Sequence, residues 1–425
     1  MKKHLLVFKA VCLLLLCAIS INLFSCSTDI EATDLMEGVS ADYVRPLNDM
    51  RDENIIAVDF ALRLFKEGCD ESGNVLISPL SVMYALSMVA NGAEGETLAE
   101  MESTLGMTKD ELNRYLYSYV RSLPREEGYQ VTLENSIWLK DLEGFSVEPA
   151  FLKTNASYYG ADVYKAAFDR QTVKDINNWI ESKTDGGIRD MLDEISDNSV
   201  MYIINALLFE ADWEEEYIND QLHDHYFTRE DGTRQKVEMM FEADLNERNY
   251  LEDESATGFI KYFKDRSYAF VALLPNEGLA LSEYISSLDG ETVHALLDGA
   301  QSYEVHSAIP RFKTEYGSNL NSMLENMGMS RAFDPFLADF DGIGMVEYED
   351  ERTSLFISRV LHETFIEVGP RGAKAGAATV VEVGDGSADI APNNIKTVRL
   401  DRPFVYMIID CENRVPLFIG AQREI

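Results

Sequence analysis

The sequence predicts a mixed α+β fold, and three observations carry that prediction. From "NDMRDENIIAVDFALRLFKEG" onward, apolar Ile55, Val58, Leu62 and Phe65 recur at spacings of three and four, the period of a helix with one buried face. Further on, "YQVTLENSIWLKD" alternates as a strand does, and "SVMYIINALLFEADWEE" is continuously apolar, as a strand buried on both faces must be. Helical and extended segments mix without strict alternation, and the last third is rich in strands.

In chain order, the first helix is followed by a turn at "DESGN" and then by "VLISPLSVMYALSMVANGAEGETLAEMESTLGM". Pro79 suits the first turn of a helix with Ser78 as its N-cap, Asn91-Gly92 reads as the C-cap, and another helix starts at Thr97. "VKDINNWIESKTDGGIRDML" reads as a helix ended by Gly186-Gly187, and "GFIKYFKDRSYAFVALLPNEG" as a hairpin. "YEVHSAIPRFKTEYGS" is expected to be one strand, with the helix "NLNSMLENMGM" after it. No internal repeat and no low-complexity segment interrupts this order.

The 425 residues allow one large domain or two ordinary ones, and a 46% hydrophobic, 10% aromatic composition is that of a globular protein. A net charge of −37 argues against binding nucleic acid or anionic lipid through a basic face, because repulsion opposes both. Lys2, Lys3 and the apolar stretch "LLVFKAVCLLLLCAISINLF" form a targeting segment, residues 1–25, that is set aside from the fold. "LFSC" places small Ser25 before Cys26 and resembles a bacterial lipobox, so Cys26 is expected to carry a lipid, the alternative being an ordinary signal peptide cut nearby. Residues 26–45, polar and acidic, read as a tether, and the folded domain as 46–425. The following "STDIEATDLMEG" resembles an acidic export tag, which implies a lipid-anchored protein of the cell envelope, at the outer membrane and surface-exposed.

Cys12 and Cys17 fall in the discarded segment, leaving Cys69 and Cys411 as the two thiols after Cys26, too few for a disulfide framework; whether they pair is left open. Only His223 and His225 lie close together, and no HExxH or Cys/His cluster occurs, so no metal and no cofactor is expected. No GxSxG occurs, and "GDGSADIAP" lacks a partner motif, so nothing suggests a hydrolase, and no catalytic residue is assigned.

One stretch fits none of these elements. "GAKAGAATVVEVGDGSADIAP", residues 372–392, begins with small residues in strand-like alternation and then turns polar and Gly-rich. Its neighbours in order explain it. "NVLISPLSVMYALSMVANGAEGETLAEM", "MYIINALLFEADWEEEY", "IPRFKTEYGSNLNSMLENMGMSRAFDPFLADFDGI", "LFISRVLHETFIEVGPRGAKAGAAT" and "DRPFVYMIIDCENRVPLFIGAQRE" together resemble the serpins over residues 50–425. The resemblance implies a serpin-like fold of about eight or nine helices packed around three β-sheets. It also implies an exposed reactive loop at about 370–396, which a target protease mistakes for substrate. After cleavage the loop's first part enters a large sheet as a new strand, and the acyl-enzyme is trapped. The native state is then kinetically held above a more stable one.

The side chains agree with insertion. Ala373, Ala375, Ala377, Thr379 and Val381 form one uncharged face of small or β-branched residues, and Lys374, Gly376, Ala378, Val380 and Glu382 the other. The resemblance implies that the hinge is Gly372, Ala373, Lys374, Ala375, Gly376, Ala377, Ala378 and Thr379. From Ala373 to Gly386 an extended chain reaches about 46 Å, enough to cross a large sheet.

Ser78, Ser81, Asn205 and His362 match the family's polar cluster beneath the opening sheet, beside their plainer readings of a helix cap for Ser78 and a satisfied core histidine for His362. Trp213 and Phe209 match the packing above the gap, and Asn135, Thr184 and Gly186 match structural positions. There are departures: Pro370 and Arg371 stand where acidic residues are usual, and Ala373, Lys374 and Glu363 replace the common Thr, Glu and Lys. Pro370 could stiffen the hinge.

Counting forward from Gly372 by the family's spacing puts the reactive bond at Gly386–Ser387; counting back from Pro403 gives about Pro392–Asn393. The forward count is preferred because a longer inserted part spoils inhibition. No Lys or Arg lies between Glu382 and Lys396, which excludes a trypsin-like target. Val383, Ala388, Ile390 and Ala391 mark an alternative reactive region that suits elastase-like, subtilisin-like or papain-like proteases. The expected partner is thus a serine or papain-like cysteine protease, met by a monomer. The competing reading is a non-inhibitory serpin-fold protein serving as a surface binding or envelope protein.

Overall fold

A strand apolar on both faces needs cover on both, and the run Met201–Asp212 obtains it. In the computed structural model, which describes residues 30–69, 73–124, 129–184, 186–242, 247–348, 351–353, 355–374 and 395–425, residues 201–209 are all buried. Ile203 and Leu207 face the main core, while Tyr202, Ile204 and Ala206 face a second, smaller one. The helix Pro79–Ala90, buried at every position, covers the first face beside Asn205. The helix Arg170–Lys183 covers the other, packing Ile176, Trp179 and Ile180 against Trp138 and Tyr202. Its start is set by Asp169, whose carboxylate accepts the backbone N–H groups of Gln171 and Thr172.

Met201–Asp212 lies at the centre of a seven-stranded sheet. The order is Thr33–Asp34, Asp162–Ala166, Tyr129–Lys140, Met201–Asp212, Gly372–Lys374, Arg359–Gly369, Phe312–Asn319. A ten-stranded sheet contains the hairpin Ala256–Tyr262 with Tyr268–Pro275 and the terminal pair Phe404–Asp410 with Pro416–Gln422, and a three-stranded sheet completes the described residues with nine α-helices.

The structure corrects several expectations. The segment expected as a tether is not free from residue 30 onward. Thr33–Asp34 pairs antiparallel with Asp162–Ala166 as an edge strand of the large sheet. Ala32 N–H donates to Asp175 Oδ2 at 2.9 Å and Asp42 N–H to Ser157 Oγ at 2.8 Å, while Val44 is buried. Two polar residues carry no periodicity, so such a strand has no signal of its own. The stretch expected as one strand is two, Gln301–Pro310 and Phe312–Asn319, which belong to different sheets. Ile55, assigned to the buried helical face, is 51% exposed. Ser78 stands at the N-cap, but its hydroxyl makes no capping bond. The pairing of Cys69 and Cys411, left open by the sequence, is decided rather than corrected: no disulfide joins them.

Gly92 does not serve as a left-handed cap, since its own φ is not positive, and Asn91 before it closes the helix. Its role is close packing: a Cβ on Gly92 would stand 2.2 Å from Ile343 Cγ1 and 2.8 Å from Ile343 N. Gly92→Ala is therefore expected to cost about 1–3 kcal/mol, the usual range for overpacking. Urea unfolding should show it as a lower midpoint at unchanged slope.

Candidate functional site

Three neighbouring strands present polar residues to the same buried point. In register, Asn135 lies opposite Asn205, and Asn205 lies beside His362 in the parallel ladder. All three side chains face the helix Pro79–Ala90, which adds Ser81, with Ser78 just before it. Asn205 Nδ2 donates to Asn135 Oδ1 at 2.5 Å. Asn205 Oδ1 accepts from Ser81 Oγ at 2.7 Å and from His362 Nδ1, also at 2.7 Å. Ser78 N–H donates to His362 Nε2 at 3.1 Å. That pattern demands the neutral tautomer with the proton on Nδ1, because a protonated Nε2 would confront a backbone N–H. The four residues proposed from the sequence are thus joined, and Asn135 belongs with them. Thr364, two residues on and on the same face, donates to Leu76 O at 2.7 Å; polar residues at inward positions of a buried strand were the available signal.

Burial lowers the His362 imidazole from 6.5 to about 3. The unfolded chain takes up a proton between those values that the native chain does not. This contribution to stability is therefore complete above pH 6.5 and lost as pH falls toward 3. Glu363, on the opposite face, is raised from 4.5 to about 7 by burial and then by Glu315. Its native form holds a proton that the unfolded form lacks, so its contribution is complete below pH 4.5 and lost as pH rises to 7. Between 4.5 and 6.5 the two slopes oppose each other.

The hinge sits higher on the same seam. Arg359 to Thr364 pair directly with Tyr202 to Leu207. Above them the two strands part and Gly372–Lys374 lies between, pairing Val368 with Ala373 on one side and Ala211 with Ala373 on the other. The first hinge residues are therefore seated in the sheet, and Ala373 is fully buried. Gly372 is required there: a Cβ would lie 1.9 Å from Ala211 O. Pro370 and Arg371 are the two corners of the connecting turn, where proline's fixed φ fits and its missing N–H is not needed. The carbonyls of the turn are held from one segment. Trp213 N–H donates to Arg371 O at 2.8 Å, Tyr217 N–H to Pro370 O at 2.8 Å, and Trp213 Nε1 to Gly369 O at 2.9 Å. Trp213 itself stacks on Phe263, with ring centres 4.4 Å apart. Nothing in the sequence signalled Tyr217.

Ala375, Gly376, Ala377, Ala378 and Thr379, the reactive-bond candidates Val383, Gly386, Ser387, Ala388, Ile390 and Ala391, and Cys26 lie outside the described residues. Among the described residues no group of His, Cys, Asp and Glu is arranged to hold a metal.

His362→Gln is expected to remove one pH slope. Its stability deficit against wild type should shrink from pH 7 to pH 4 by up to about 1 kcal/mol per pH unit, measured by urea unfolding at each pH. Gly372→Val should expel the hinge strand from the seam. Hydrogen exchange would then be faster at the Trp213 amide than in wild type.

Residues 56–424 match the family model for serpins, described as serine protease inhibitors. A serpin-like protein of Thermococcus kodakarensis is 29% identical over 368 residues, spanning 85% of this chain and 83% of the relative. The native state of tengpin, a thermophilic serpin, aligns at TM-score 0.87 with 43% identity, covering 93% of this chain and 100% of the other. Tengpin's latent state aligns at 0.77 with 40% identity, covering 90% and 100%.

Proposed function

The chain belongs to the serpin family, and on that premise we propose that it inhibits a protease by acting as its suicide substrate. The observation that carries this reading is the hinge strand. Gly372–Lys374 already occupies the top of the seam, so a cut loop has a formed turn and a formed first pair from which to continue downward. The target's serine hydroxyl or cysteine thiol attacks the carbonyl of Gly386. The Gly386–Ser387 bond breaks, Ser387 leaves as an amine carrying the nucleophile's proton, and Gly386 remains as the acyl group. Entry of the loop then carries the bound protease away before water can hydrolyse that acyl bond.

Absence of Lys and Arg from residues 383–395 and the small aliphatic residues there favour elastase-like, subtilisin-like or papain-like targets. The reading extends to location: cleavage after residue 25, a lipid on Cys26, and a monomer held at the outer membrane facing outward. Ile30 and Ala32 already pack on the body, so the anchor would hold the domain close to the membrane rather than on a long leash.

Residues 27–425 incubated with an enzyme of each class should give an SDS-stable band near the summed mass, and the released fragment should begin at Ser387. Clipping without adduct across all classes would remove the inhibitory reading and favour a serpin fold used for binding at the surface. Thr379→Arg, placing a charge on the face that must be buried, is expected to be cut but to form little adduct, since an unpaired buried charge is strongly disfavoured.

A further inference from the structure

Behind the hinge turn a lysine is buried where the inhibition cycle as described calls for no charge. Lys261 ends near Glu242, with side chains 1% and 5% exposed and Nζ 3.4 and 3.5 Å from the two carboxylate oxygens. Nζ also donates to Glu215 O at 3.1 Å. It lies 4.4 Å from the ring centre of Tyr217 and 5.2 Å from that of Trp213. Glu242 accepts from the Tyr217 hydroxyl at 3.3 Å and the Ser307 hydroxyl at 3.2 Å.

A buried ion pair adds little net stability over apolar residues of the same volume, yet fixes the geometry of what it touches. What this pair touches on residues 213–217 is the segment whose three N–H groups hold the carbonyls of Gly369, Pro370 and Arg371. Lys261 and Glu242 themselves belong to the ten-stranded sheet or its edge. The pair therefore ties that sheet to the one turn about which the loop must fold back. Two further cations clamp this segment or the residue before it, Arg266 on Glu214 at 2.8 Å and Lys264 on Asp212 at 3.0 Å, but with the cations' side chains 63% and 44% exposed they are solvent-screened and weak.

We propose that Lys261, paired with Glu242, is a positioning residue for loop insertion: it holds residues 213–217 as a rigid platform that keeps the Gly369–Gly372 turn made while the loop enters the sheet. The proposal rests on the suicide-substrate reading.

The test uses residues 27–425, cut with a protease that cleaves the loop, and follows two signals: the adduct-to-clipped ratio and the rate at which cut chains gain heat resistance. Lys261→Met should slow that gain roughly tenfold and shift the ratio toward clipped product. Lys261→Arg should restore most of the rate, which a general packing defect would not. Adding Trp213→Phe to Lys261→Met should cost little more, because both act through one platform. Lys261→Met with Glu242→Leu removes the two facing charges together, so it is expected to fold better than the single variant, and it should still be slow. Wild-type rate and ratio in that double variant would overturn the proposal. If wild type itself forms no adduct and gains no heat resistance when cut, the suicide-substrate reading fails and this inference with it. If wild type does both and the variants match it, only the inference fails.

Discussion

The large sheet depends on one seam, the parallel contact between Met201–Asp212 and Arg359–Gly369. A parallel ladder is slightly less stable per residue than an antiparallel one. A strand running the other way between these two would replace one parallel ladder by two antiparallel ones. Gly372–Lys374 has begun to do this at the top, and the six directly paired positions below it have not opened. Further pairing of this kind is the direction that the proposed loop entry takes.

The polar cluster spans this seam. His362 and Asn205 bond to each other across the seam, and each also bonds to the helix Pro79–Ala90 or the residue before it. Parting the strands breaks a bond between buried groups, which is tolerable only if new partners arrive. The neutral histidine matters here, because a charge trapped in the core would oppose any partly opened state. At the top of the seam the small residues Gly372 and Ala373 meet the backbone of Ala211.

The N-terminal edge strand and the hinge platform both attach to the half of the sheet that carries Met201–Asp212. Thr33–Asp34 extends the half of the sheet that carries Met201–Asp212, while residues 213–217 bind the turn to the ten-stranded sheet. Both are made largely of backbone bonds and short polar contacts, which composition and hydrophobic period do not encode.

Much of this protein was readable without coordinates, because its main signals are local. Pro79 at a helix start, the apolar run ending at Phe209, interrupted only at Asn205, and the alternating small residues after Gly372 each follow from packing rules that act within a few residues. The cluster Ser78, Ser81, Asn205 and His362 was legible by family resemblance, since its members are far apart in sequence and unremarkable singly. Tertiary structure alone decided the rest. That Gly92 is small because Ile343 lies against it, that a supposed tether is an edge strand, and that Pro370 turns a corner were all set by residues brought from elsewhere in the chain. Lys261 is the sharpest case. In the sequence it is one lysine in an amphipathic strand; only the fold removes its water and supplies Glu242, Tyr217 and Trp213 in exchange. Local rules specify which elements form, whereas burial and pairing at a distance specify what each polar side chain must do.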